Sequence, residues 1–197
     1  MPLSAPVERE ALHDRRYEFR GYRRKDGLWD IEGHMVDSKS HDFPNRHRGT
    51  VHAGEPIHDM WVRLTLDEHF VVQDVEAVTE AAPFAICPAI TESFSAIKGL
   101  KVGAGWRRGL KERLGGVKGC THQVGMLGAM ATVAYQTMWK YVSEQMSATG
   151  SGPHRRPGFI DSCHAFASDG EIVRDRWPEF YTGEEKAATG EAKEKSA

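Results

Sequence analysis

Long apolar runs are missing from this chain. No stretch of about 18 apolar residues occurs, so no membrane-spanning helix is expected. A cationic excess is missing too: 26 Lys plus Arg face 28 Asp plus Glu, for a formal net charge of −2. That balance argues against a general nucleic-acid binder. Cysteine is scarce, three in 197 residues, an odd number that builds no disulfide framework. The opening MPLSAPVEREALHDRRYEF carries no apolar signal core. Together these absences lead us to expect a cytoplasmic protein with reduced thiols and neither a membrane nor a nucleic-acid partner. Several catalytic signatures are absent as well: the GxSxG elbow, the Walker phosphate loop, HExxH and CxxC. GLKVGAG lacks the GxGxxG spacing of a dinucleotide site.

What is present suits a folded domain, with 40% hydrophobic and 27% charged residues. Leu28 to Lys39 alternates, Trp29, Ile31 and Met35 on one side and Asp30, Glu32 and His34 on the other, which predicts a half-exposed strand. IHDMWVRLTLD and FVVQDVEAVTE predict two more. Between the first two lies SHDFPNRHRGTVHAGEP, a long loop without hydrophobic period, the kind that is usually functional or disordered. Arg15, Arg16, Arg20, Arg23, Arg24 and Lys25 form a basic cluster that reads either as an anion site or as a solvated edge strand.

Three antiparallel strands leave an apolar face that helices must cover. From Pro83 the period lengthens, with Phe84, Cys87, Ile90, Phe94 and Ile97 predicting a helix that Gly99 stops. A short helix is expected over Trp106 to Leu114, ended by Gly115-Gly116 as a left-handed cap. A long one is expected from Thr121, with Val124, Leu127, Ala131, Tyr135, Met138 and Val142 as its stripe, until the Gly/Ser/Pro stretch at 147–153 breaks it. Met126, Met130, Met138 and Met146 read as core filler. Phe159 to Tyr181 reads as irregular, with an extended piece near Ile172-Val173. The fold class is therefore α+β, a three-stranded antiparallel meander covered on one face by helices. The expected organisation is an extension at 1–13, one α+β domain at 14–182 and a disordered tail at 183–197.

The chemistry gathers at helix starts. Cys87 precedes Pro88 and Cys120 precedes the long helix, and both positions favour a thiolate through unpaired N–H groups and the helix dipole. His122 follows Cys120 by two residues, and His164 follows Cys163. The long loop adds His41, Asp42, His47 and His52, with His58 just beyond it. A thiolate beside imidazoles is a nucleophile pair or part of a metal site, and mixed sulfur and nitrogen donors favour Zn or Fe. The candidate catalytic residues are Cys120, His122 and His58. The candidate metal ligands are Cys87, Cys120, His122, His41, Asp42 and His52. Arg20, Arg23 and Arg48 are the candidates for holding a substrate anion.

The pieces RRYEFRGYRRKDGLWDIEGHMVDSK, PIHDMWVRLTLD, DVEAVTEAAPFAICP and GGVKGCTHQVGML resemble a bacterial family known as domain of unknown function 2889. The resemblance covers roughly residues 14–182 and implies no biochemistry. It leads one to expect Leu where this chain has Gln123. The order of strands, of a Cys opening one helix and of a second Cys opening a later one also resembles the SufE/NifU-like fold. That likeness implies that Cys87 and Cys120 match the second and third cysteines of NifU-type scaffolds, with His41, Asp42 or His52 in place of the first. The expected function is an enzyme of lyase or hydrolase type acting on a small organic acid or anionic metabolite. It would use Zn, Fe or an activated cysteine. The alternative is a non-catalytic iron–sulfur or metal scaffold, or a sulfur carrier. A homodimer through the Met-rich stripe is a further expectation.

Overall fold

The computed structural model describes residues 3–148 and 156–184. Two compact units, Met1–Ala148 and Thr149–Ala197, divide the chain. The first is built on strands β1 (His13–Arg23), β2 (Trp29–Lys39), β5 (Pro56–Leu66) and β6 (Val72–Ala81), which form one antiparallel sheet in the order β1-β2-β5-β6. The connection from β2 to β5 carries a small hairpin of β3 (Phe43–Asn45) and β4 (Gly49–Val51).

The α+β class holds, and the expected strand count is corrected from three to four. The added strand is β1, the basic cluster, which lies at the sheet edge with its arginines beside local acids: Arg16 with Asp14, Arg20 with Glu18, Arg24 with Asp26. Charge along an exposed edge opposes pairing with another chain. Along β2 the alternation is complete. Trp29, Ile31, Gly33, Met35 and Asp37 are buried and the residues between them half-buried. On β5, Met60, Val62, Leu64 and Leu66 complete that apolar face.

Helices α1 (Trp106–Leu114) and α2 (Thr121–Ala148) form where the period predicts them. Gly115 is extended, and the left-handed residue of the expected cap is Gly116. Of the expected stripe, Leu127 and Met138 are fully buried and Val124, Ala131 and Tyr135 half-buried; Met126, Met130 and Ala134 complete the fully buried row. The side chains of Val142 and Met146 lie outside the described ones, as do the backbone breaker at 149–153 and the tail from 185. The helix crosses β1 so closely that a Cβ on Gly21 would stand 1.9 Å from Thr137 Oγ1. At the same end Tyr141 meets Trp29, with ring centroids 5.0 Å apart. The start of α2 thus lies at the opposite end of the sheet. There Gly119 admits the chain: a Cβ on it would come within 2.5 Å of the Leu114 carbonyl oxygen.

The segment Cys87–Ile97 is a 3-10 helix, where the period suggested an ordinary helix. Its hydroxyls explain the tighter winding. Thr91, Ser93 and Ser95 each donate to the carbonyl three residues back (Pro88, Ile90, Glu92) at 2.7–2.9 Å. Phe94 and Ile97, three apart, are then the buried residues, as three residues per turn demand.

In the second unit the extended piece expected near Ile172-Val173 is instead helix α3 (Glu171–Arg176). Glu171 in its first turn and Arg174 and Arg176 in its last suit the helix dipole. Phe159, Phe166 and Trp177 form a ring cluster with centroids 4.9–6.2 Å apart.

Candidate functional site

Asp37 continues the buried row of β2 and is 2% exposed. A carboxylate at such depth is costly without partners, and its partners are dense. Oδ1 accepts from the His58 backbone N–H at 3.1 Å and pairs with His58 Nδ1 at 2.9 Å. Oδ2 accepts from Arg15 Nε at 2.9 Å and from the Arg15 terminal nitrogen, and His13 Nε2 stands 3.4 Å away. Asp37 and His58 are register partners on β2 and β5, so the sheet itself holds them together. Burial opposes the charge on Asp37, but the hydrogen bonds from Arg15 and His58 outweigh it and hold the carboxyl below its ordinary range.

His122, in the first turn of α2, lies over His58 with ring centroids 4.0 Å apart. Burial, then the neighbouring His58 and Arg15, push its imidazolium below the usual histidine range, against the pull of Asp37. One ligand atom each of Asp37, His58 and His122 lie within 4.8 Å of one another. Cys120 Sγ is 3.8 Å from His122 Nδ1 and 3.9 Å from Met60 Sδ. The Cys120 carbonyl accepts from the Val124 N–H at 2.9 Å, which makes Cys120 the residue that opens α2.

The three candidate catalytic residues Cys120, His122 and His58 thus lie in one chain of contacts. The candidate ligand set is divided. Of its members, His122 alone belongs to the group of three found among the described residues. Cys87 opens the 3-10 helix, half-buried. Asp42 and His52 pair with each other at 2.9 Å on the exposed hairpin, and His41 beside them is exposed. The loop is an ordered hairpin. The Asn45 side chain accepts from the His47 and Arg48 N–H groups and donates to the Pro83 carbonyl, while Arg48 binds Glu55 and the Pro56 carbonyl. The other candidate anion ligands also have local partners, Arg20 on Glu18 and Arg23 against the rings of Trp29 and Tyr141. Cys163 is exposed in the second unit, just before a 3-10 turn that begins at His164.

Asp37 was not among the residues the sequence points to as a site, and Arg15 was there only as a member of the basic cluster. The signal for Asp37 was available: it is the next inward position after Trp29, Ile31, Gly33 and Met35, and a carboxylate there is out of keeping with the row. A second acid–imidazole pair lies on the opposite face. His34 Nε2 is 2.8 Å from Asp59 Oδ1, and its ring stacks on Trp61 at 3.6 Å.

The Asp42–His52 pair makes a prediction of its own. Its hydrogen bond to Asp42 raises the His52 imidazolium above the ordinary histidine range. The pairing therefore stabilises the hairpin fully below the unfolded-state value and is lost as pH climbs through the folded one. The ring resonances of His52 should titrate above the ordinary histidine range, and Asp42→Asn should bring them down. Unchanged titration in that variant would remove the pair's role.

An antiparallel sheet with one long helix, and a carboxylate–imidazole cluster where that helix starts, defines an α+β protein with a polar site at one end of its core. The family described as Protein of unknown function (DUF2889) matches residues 13–136, and the chain belongs to it. No curated protein and no solved structure matches the chain.

Proposed function

We propose that this protein is an enzyme of lyase or hydrolase type. It acts on a small organic acid or another anionic metabolite through a divalent transition ion held by Asp37, His58 and His122. The observation that carries the reading is the convergence of these three groups from β2, β5 and α2 within 4.8 Å. Two imidazoles and a carboxylate suit zinc or iron and leave coordination positions for water and substrate. When bound, such an ion polarises a carbonyl or lowers the pKa of a water. The residues do the rest. Arg15 Nε on Oδ2 holds the Asp37 carboxylate in place, and a ligand fixed by an outer partner is a better-oriented one. Burial lowers the His122 imidazolium below the usual histidine range, which favours the neutral ring that a metal takes. The start of α2 puts positive potential on this end of the sheet, which favours an anion. The scaffold alternative has less support, because no cysteine belongs to the ligand group found among the described residues. The SufE/NifU likeness stays a resemblance of element order.

The test is metal content and binding. Protein purified without a metal-binding tag should retain or take up about one zinc or iron per chain, read by elemental analysis and calorimetry, without labile sulfide. His58→Ala and His122→Ala should each lose at least tenfold in affinity, on the order of what even supporting residues of metal sites contribute. A chain that binds none of these ions at micromolar concentration would sink the proposal.

A further inference from the structure

We infer that Cys120, Met60 and His122 form a second site that takes a soft monovalent cation of the copper(I) class. The proposal does not rest on the divalent reading, with which it shares only His122. Cys120 Sγ is 3.9 Å from Met60 Sδ and 3.8 Å from His122 Nδ1. Metal bonds of about 2.3 Å to sulfur and about 2.0 Å to imidazole put two sulfurs on one tetrahedral ion about 3.8 Å apart, and a sulfur and an imidazole nitrogen about 3.5 Å apart. The two separations already match those edges to within a few tenths of an ångström. Cys120 Sγ is the donor common to both edges, and an ion seated on it would draw the thioether and the imidazole in.

The donor types decide which ion. A thioether is a poor ligand for hard divalent ions, and a thiolate with a thioether selects copper(I). Cys120 opens α2, and an ion that binds its sulfur displaces the thiol proton. Met60 is 1% exposed and held in β5 opposite Thr79, so its sulfur is fixed in place. Packing alone gives no reason for sulfur here, since leucine fills a methionine's volume at little cost. That makes Met60→Leu the discriminating variant.

The experiment is an anaerobic copper(I) titration against a coloured copper(I) chelator. It uses the full chain carrying Cys87→Ser and Cys163→Ser, so that only Cys120 remains as a thiol. One copper(I) per chain is expected, lost with Cys120→Ser. Met60→Leu should bind at least tenfold more weakly while melting like its parent. His58→Ala, which removes a ligand of the divalent group and none of this one, should stay within twofold. Parental affinity in Met60→Leu, or a tenfold loss in His58→Ala, overturns the proposal. Absence of any divalent ion leaves this test untouched, so the two readings fail separately.

Discussion

Replacing Asp37 by alanine should lower the free energy of unfolding by about 3 kcal/mol, as judged by urea denaturation. Removing one partner of a buried ion pair costs about 3–5 kcal/mol because the other charge is left stranded. The lower figure applies here because the Arg15 side chain is 32% exposed and can recover water. His58 loses both of its bonds to Oδ1, so its ring is released and divalent affinity should fall with stability. Arg15→Gln leaves the carboxylate buried beside His58 and should destabilise by a similar amount. A loss below about 1 kcal/mol in Asp37→Ala would mean that the carboxylate is not held by its partners as described.

Trp106→Ala should be the most damaging single change in the helical layer, at about 3–5 kcal/mol. The indole is 4% exposed and packs in the core with Leu110 and Leu114. Its Nε1 donates to the Leu127 carbonyl of α2 at 2.9 Å. Trp106→Phe keeps most of the apolar contact and deletes the donor, and should cost about 1 kcal/mol plus a smaller packing loss. A phenylalanine variant as unstable as the alanine one would assign the effect to the hydrogen bond and not to the ring.

Where burial follows a simple period, the chain declared its structure. The alternation of β2 and β5 and the stripe of α2 each arise because one face meets the core and the other does not. The 3-10 segment departs because hydroxyl-to-carbonyl bonds at spacing three compete with the helical pattern, and hydropathy does not register them. The His-rich stretch reads as a loop because strands of three residues are too short to show a period, and its order comes from Asn45, Arg48 and Asp42 bonding to backbone. For the site, helix-start chemistry located Cys120 and His122, and His58 was visible as a histidine beside a strand. The inward place of Asp37 was legible in the alternation of β2, but its pairing with His58 was not, because register is a pairwise property that composition does not carry.

That register has an evolutionary reading. Asp37 and His58 stand directly across the ladder, and the chain between Lys39 and Pro56 departs from the sheet and returns to it. Lengthening such an excursion is entropically mild, about 0.6 kcal/mol for each doubling of an open loop. The hairpin can therefore be trimmed, extended or replaced across relatives while the acid and the imidazole stay clasped. Diversity among relatives should accumulate there first, as a graftable rim around an invariant hinge of two residues.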